Sequence, residues 1–178
     1  MISFEMAKKE TPKARRARAL KILVRLKKAY LKAKIALNYG NNIQLLVAVI
    51  MSAQCTDKKV NEITASLFGK YKTAKDFASA DFKKFAQEIR SAGFYNAKAR
   101  NIIASCKMIE RDFGGKLPKT MREILRLPGV ARKTANIVLG NAYGIVEGMA
   151  VDTHVRQFAN YCALSFEHDP MKIEKDLM

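Results

Sequence analysis

Leu127-Pro128-Gly129-Val130-Ala131-Arg132-Lys133-Thr134-Ala135 leaves the backbone few choices. Proline has no N–H with which to continue a helix, and glycine permits a sharp bend. Apolar spacing resumes at Ala131 and predicts a helix through Tyr143. Upstream, Thr120 and Glu123 stand three apart, a capping box for a short helix ending near Leu127. The segment reads as helix, tight hairpin, helix, with Lys133 on the first turn of the second helix. A little further on, Val151-Asp152-Thr153-His154-Val155 puts a carboxylate at the head of another helix, predicted over Thr153 to Leu164.

A Leu-Pro-Gly turn alone is an ordinary helix connector. Its surroundings change the reading. The amides of Gly129, Val130 and Ala131 lie at a helix entrance, where backbone donors and the helix dipole together favour phosphate. Arg132, Lys133 and Thr134 follow in a chain of net charge +17, with 33 basic against 16 acidic residues. Such an excess points to a polyanion, because each cation set against a phosphate releases counterions. Residues 1–34 are the most basic part of the chain, which suggests a basic tail over 1–18. Met1 to Arg18 lacks the apolar core of a signal peptide, and no apolar run approaches the ~20 residues needed to cross a bilayer. Cys55, Cys106 and Cys162 are odd in number and form no CxxC pair, so neither a disulfide framework nor a metal site is expected, and a reducing cytoplasm fits.

The rest of the chain reads as all-α, since apolar residues recur at three and four and never alternate. Predicted helices cover Arg16 to Ala36, Gln44 to Ala53 behind an Asn42 cap, Asp57 to Phe68, Phe82 to Ala92 behind Asp81, and Asn96 to Phe113. The unbroken apolar run Leu45 to Met51 predicts burial on most sides. Gly93 suits a left-handed helix exit. A last helix starts near Pro170 and stops at Met178 without a terminal glycine or polar tail, the pattern of a chain cut short.

Several motifs stand in register. Ser52-Ala53-Gln54-Cys55-Thr56-Asp57, Gly93-Phe94-Tyr95-Asn96-Ala97-Lys98-Ala99, Leu127 to Ala135 and Val151 to Val155 together resemble the endonuclease III family of helix-hairpin-helix DNA glycosylases. The likeness runs from about Ala19 to the last residue. It implies two helical lobes with a cleft between them. One is a central domain over 35–148 containing the helix-hairpin-helix (about 120–144); the other is a discontinuous lobe of 19–34 plus 149–178, incomplete at its C-terminus. The implied reaction removes oxidised pyrimidines from double-stranded DNA and cleaves the abasic site by β-elimination. The expected setting is a monomer, off the membrane, in a bacterial-type cytoplasm at the nucleoid.

The chemistry assigns roles. A nucleophilic amine must be uncharged, which a helix entrance beside Arg132 with partial desolvation favours at Lys133. Asp152 has a strong ordinary role as an N-cap; the resemblance adds stabilisation of charge on the sugar and help with proton transfer. By resemblance, Gln54 fills the gap left by an extruded base and Phe94 wedges the opposite strand. The plainer alternative ends a buried helix at Gln54 and puts Phe94 in the core. His154 is expected to pack or touch phosphate. Ala131 stands where the family carries the second hairpin glycine; at negative φ it should weaken phosphate binding without abolishing it. The family's [4Fe-4S] cluster would need four cysteines beyond Met178, so no cofactor is encoded in this chain and no metal ligands are expected. Two rivals are a monofunctional adenine-type glycosylase, which needs no amine, and a non-catalytic helix-hairpin-helix binding module, which needs neither Lys133 nor Asp152.

Overall fold

The computed structural model describes residues 10–178, so residues 1–9 of the expected tail lie outside the described residues. The described part is helical: α1 (Pro12–Ala29), α2 (Asn42–Ser52), α3 (Asp57–Lys70), α4 (Ala74–Ala78), α5 (Phe82–Glu88), a 3₁₀ turn (Arg90–Ala92), α6 (Tyr95–Phe113), α7 (Met121–Ile124), α8 (Arg132–Tyr143), α9 (Thr153–Tyr161) and α10 (Pro170–Leu177). The backbone divides into two compact units, one combining residues up to Ile35 with Gly148–Met178, the other Ala36–Glu147.

The Ala36–Glu147 unit is built on α2. Leu45 to Met51 are all buried, as the unbroken apolar run predicts. α2 is packed by α3, α6 and α8, while α6 also carries α4 and α5. Phe77 and Phe85 anchor the α4–α5 side: Tyr71 stacks on Phe77 at 5.2 Å between ring centroids, and Phe77 meets Phe85 edge-on at 6.0 Å.

The other unit is thinner. Val151, Ala159 and Ile173 form its buried centre, with Val155 and Leu177 against them. α1 buries no residue. Leu23 and Phe158 stay largely exposed along an apolar groove of about 380 Å³ that Ile22, Leu26, Val155 and Leu177 also line. Arg18 ties α1 to the end of α9, donating through Nη1 to the Cys162 carbonyl and through Nη2 to the Ala163 carbonyl at 3.1 Å.

Several helix boundaries differ from the sequence expectation, each for a local reason. α1 starts earlier, because Thr11 caps it and Pro12 takes the position whose N–H has no helical partner; residues 12–18 are therefore helix. It ends at Ala29, short of Ala36, where Tyr30 leaves helical geometry (φ −125°, ψ 50°). Asn41, one residue before Asn42, caps α2. The helix expected over Phe82 to Ala92 breaks into α5 and the 3₁₀ turn. α9 stops at Tyr161, ahead of the left-handed Ala163 (φ 50°). α4 is an addition, made by a reciprocal capping box between Thr73 and Asp76. The expected box at Thr120 forms in part: its hydroxyl accepts from the Glu123 amide and donates to the Glu123 carboxylate at 2.7 Å.

Candidate active site and nucleic-acid interface

The candidate residues divide between the units. In the Ala36–Glu147 unit the hairpin closes as a type II turn. Pro128 takes the second position, Gly129 the third at φ +79°, and the Val130 amide donates to the Leu127 carbonyl at 3.1 Å. Val130 is buried and its amide donates within the turn. Gly129 and Ala131 are exposed at the turn's surface. Ala131 precedes α8 with φ −90°, so alanine fits without strain.

α8 then carries Arg132, Lys133 and Thr134 on its first turn. Arg132 and Thr134 are half-buried; Lys133 is exposed, more so than the partial desolvation expected from sequence. Ala131 offers no side chain to cap α8. The same is true of Phe94 before α6. Every other α-helix among the described residues is capped by a Thr, Asn or Asp side chain. The two entrances without a side-chain cap are thus the hairpin helix and the helix behind Phe94.

Gln54 and Phe94 share an unusual backbone. Both are left-handed, with φ 53° and φ 46°, in residue types that seldom adopt it. Both side chains are exposed, Phe94 to 70%. The plainer alternative therefore fails for each: Gln54 lies beyond α2 in a tight loop, where the Cys55 amide donates to the Ser52 carbonyl at 3.1 Å, and Phe94 is not core. Gly93 ahead of it has φ 68° and ψ 153°, a region essentially restricted to glycine.

Three polar residues that sequence reasoning left without a role support these turns. Lys98 is 5% exposed, and its Nζ donates to the Ala92 carbonyl at 2.7 Å. Burial pushes its ammonium below the ordinary lysine range. Ser105 is fully buried and its hydroxyl donates to the Pro128 carbonyl at 2.7 Å. Asn101 packs beneath Gly129. The available signal was their spacing of three and four on one helix, inside the stripe that includes the buried Ala99, Ile102, Cys106 and Ile109.

In the other unit Asp152 is half-buried and caps α9, its Oδ1 accepting from the Val155 amide at 2.9 Å. His154 is exposed and lines the apolar groove. Among the described residues no group of three or more His, Cys, Asp or Glu could hold a metal ion. Cys55, Cys106 and Cys162 are free thiols. The donor set of the described residues does not fit an iron–sulfur cluster. No helix among the described residues is long and apolar enough to cross a membrane.

Comparison with known proteins converges. Residues 47–178 match the model of the HhH-GPD superfamily base excision DNA repair protein. The endonuclease III of Synechocystis sp. is 47% identical over 165 residues, spanning 93% of this chain and 75% of its own length. That of Bacillus subtilis is 42% identical over 147 residues, 82% of this chain and 67% of its own. Among solved structures, a trapped endonuclease III–DNA covalent intermediate superposes with a TM-score of 0.84 at 37% identity, covering 95% of this chain and 78% of that one. A non-covalent endonuclease III–DNA complex gives the same TM-score at 35% identity, covering all of this chain and 78% of that one.

Proposed function

The chain belongs to the endonuclease III family of HhH-GPD base excision DNA repair proteins, DNA glycosylases and abasic-site lyases, and from that membership we propose that Lys133 is its nucleophile and Asp152 its assisting carboxylate. The uncharged Lys133 amine attacks C1′ of the damaged nucleotide, and the base departs with the bonding electrons and takes up a proton. Asp152 stabilises positive charge on the opening sugar and relays protons as the amine becomes an imine. The imine acidifies C2′. Loss of that proton expels the 3′ phosphate, breaking the strand, and water then hydrolyses the imine to free Lys133.

The remaining residues divide the binding. The exposed turn at Gly129 and Ala131, with Arg132 and Thr134, takes backbone phosphate. Gln54 and Phe94 enter the duplex where the base has left. Their left-handed backbones thrust side chains outward from short loops, which suits insertion. The substrate is double-stranded DNA carrying oxidised pyrimidines or abasic sites, bound by a monomer in a bacterial cytoplasm. The observation that carries this reading is the placement of Lys133 on the first turn of α8, directly after a phosphate-binding type of turn.

The test is product chemistry. A duplex with a single thymine glycol should be cut to leave an unsaturated aldehyde on the 3′ terminus, the mark of β-elimination. An intact strand carrying only an abasic site would make the chain a monofunctional glycosylase. Tight binding with no base release would make it a binding module.

A further inference from the structure

Lys98 and Ser105 do the same job at two places. Each lies on the buried side of α6, and each donates at 2.7 Å to the carbonyl of the residue just ahead of a left-handed glycine: Ala92 before Gly93 (φ +68°), Pro128 before Gly129 (φ +79°). The residues are seven apart, so they share a helix face and stand two turns, ~10 Å, apart along the axis. Gly93 leads into Phe94; Gly129 forms the tip of the hairpin. Asn101, midway between them, meets Gly129 closely enough to fix its depth.

The choice of residue types is telling. A buried ammonium is unfavourable unless bonded, and an apolar side chain at 98 would pack as well. A donor is needed there only if the Ala92 carbonyl must be held. The left-handed turns at Gly93 and Gly129 are otherwise free to flip their preceding peptide planes, since glycine tolerates either sense. A donor on a rigid helix removes that freedom.

We propose that Lys98 and Ser105 are positioning residues of the repair reaction, with α6 acting as a bar that fixes the turn bearing Phe94 and the phosphate-binding hairpin at one separation along the DNA. The inference rests on the division of labour proposed above. Ser105→Ala frees the hairpin, so affinity falls for any duplex while the rate at saturating DNA is kept. Lys98→Met frees the wedge turn, so base extrusion suffers while phosphate contacts remain.

The test uses the full chain and three readouts: the dissociation constant for undamaged duplex, the single-turnover incision rate on thymine-glycol duplex, and the β-elimination rate on single-stranded abasic DNA, where nothing need be extruded. Ser105→Ala should weaken duplex binding about tenfold with incision at saturation unchanged. Lys98→Met should slow duplex incision about tenfold, with duplex affinity and single-stranded cleavage unchanged. Proportional loss in all three readouts, tracking a lowered melting temperature, would overturn the inference and leave a structural role. Should Lys98→Met fail to fold, the Ser105→Ala split decides alone. A wild-type chain that cleaves neither substrate would overturn the repair reading as well, which separates the two failures.

Discussion

A Cβ added to Gly129 would stand 2.7 Å from Nδ2 of Asn101, nearer than such atoms approach one another. The hairpin tip therefore needs glycine twice over, for its left-handed φ and for the close approach of α6. Gly129→Ala should destabilise the Ala36–Glu147 unit by about 1–2 kcal/mol from the backbone alone, more with the clash. Adding Asn101→Gly, which removes the Asn101 Cβ at 2.8 Å along with the amide, should return the clash component and leave the backbone component. Thermal unfolding of the two single variants and the double checks this; strict additivity would mean that the clash relaxes without consequence.

Asp152 combines a cap with a proposed catalytic charge, and one substitution separates them. Asparagine caps a helix as well as aspartate does. Asp152→Asn should therefore melt within a degree or two of wild type while its single-turnover rate falls about a hundredfold or more. Asp152→Ala should lose about 1 kcal/mol of stability in addition. Full activity in the Asn variant would confine Asp152 to capping.

Arg18 closes the end of α9 from α1, its guanidinium fork engaging Glu10 and the carbonyls of Cys162 and Ala163. A cation at a helix C-terminus also meets the negative end of the dipole. Arg18→Ala strips donors from two carbonyls and should cost about 1–2 kcal/mol; Arg18→Lys keeps the charge, loses the fork and should fall between. Denaturant unfolding followed by circular dichroism checks this. Equal stability of all three proteins would contradict the clasp.

Burial pushes the Cys106 thiol up to about 12, with Glu110 adding a smaller push. A thiol in the unfolded chain ionises near its ordinary value of ~8.5. Between that value and about 12 the unfolded state sheds a proton that the native state keeps, so stability falls as pH rises through this window. Cys106→Ala should flatten that part of the alkaline slope. A thiol reagent should label Cys55 and Cys162, both half-buried, well before Cys106.

The local structure was legible wherever a short-range signal decided it. The apolar run at Leu45 to Met51, the Pro128-Gly129 turn and the Asp81 and Asp152 caps all form as their residue types dictate. Boundaries failed where backbone geometry intervened, as when the left-handed Ala163 closes α9 and the Leu164 amide donates to the Ala159 carbonyl at 2.8 Å. In the candidate site the exposed residues could be named from motif alone. Their support could not: Lys98, Asn101 and Ser105 act on turns six to twenty-eight residues away in sequence, and only tertiary packing brings the Pro128 carbonyl to Ser105. The bond from the Val130 amide to the Leu127 carbonyl was not legible either, since closure of a turn depends on dihedrals that composition does not state.

The proposed reaction turns on a covalent bond between Lys133 and deoxyribose. Incubation with duplex containing one abasic site, reduction with borohydride, and peptide mapping of the adduct test it directly. The expected result is a stable protein–DNA adduct on the peptide bearing Lys133, absent from Lys133→Ala. An adduct on another residue, or one that persists undiminished in Lys133→Ala, would contradict it.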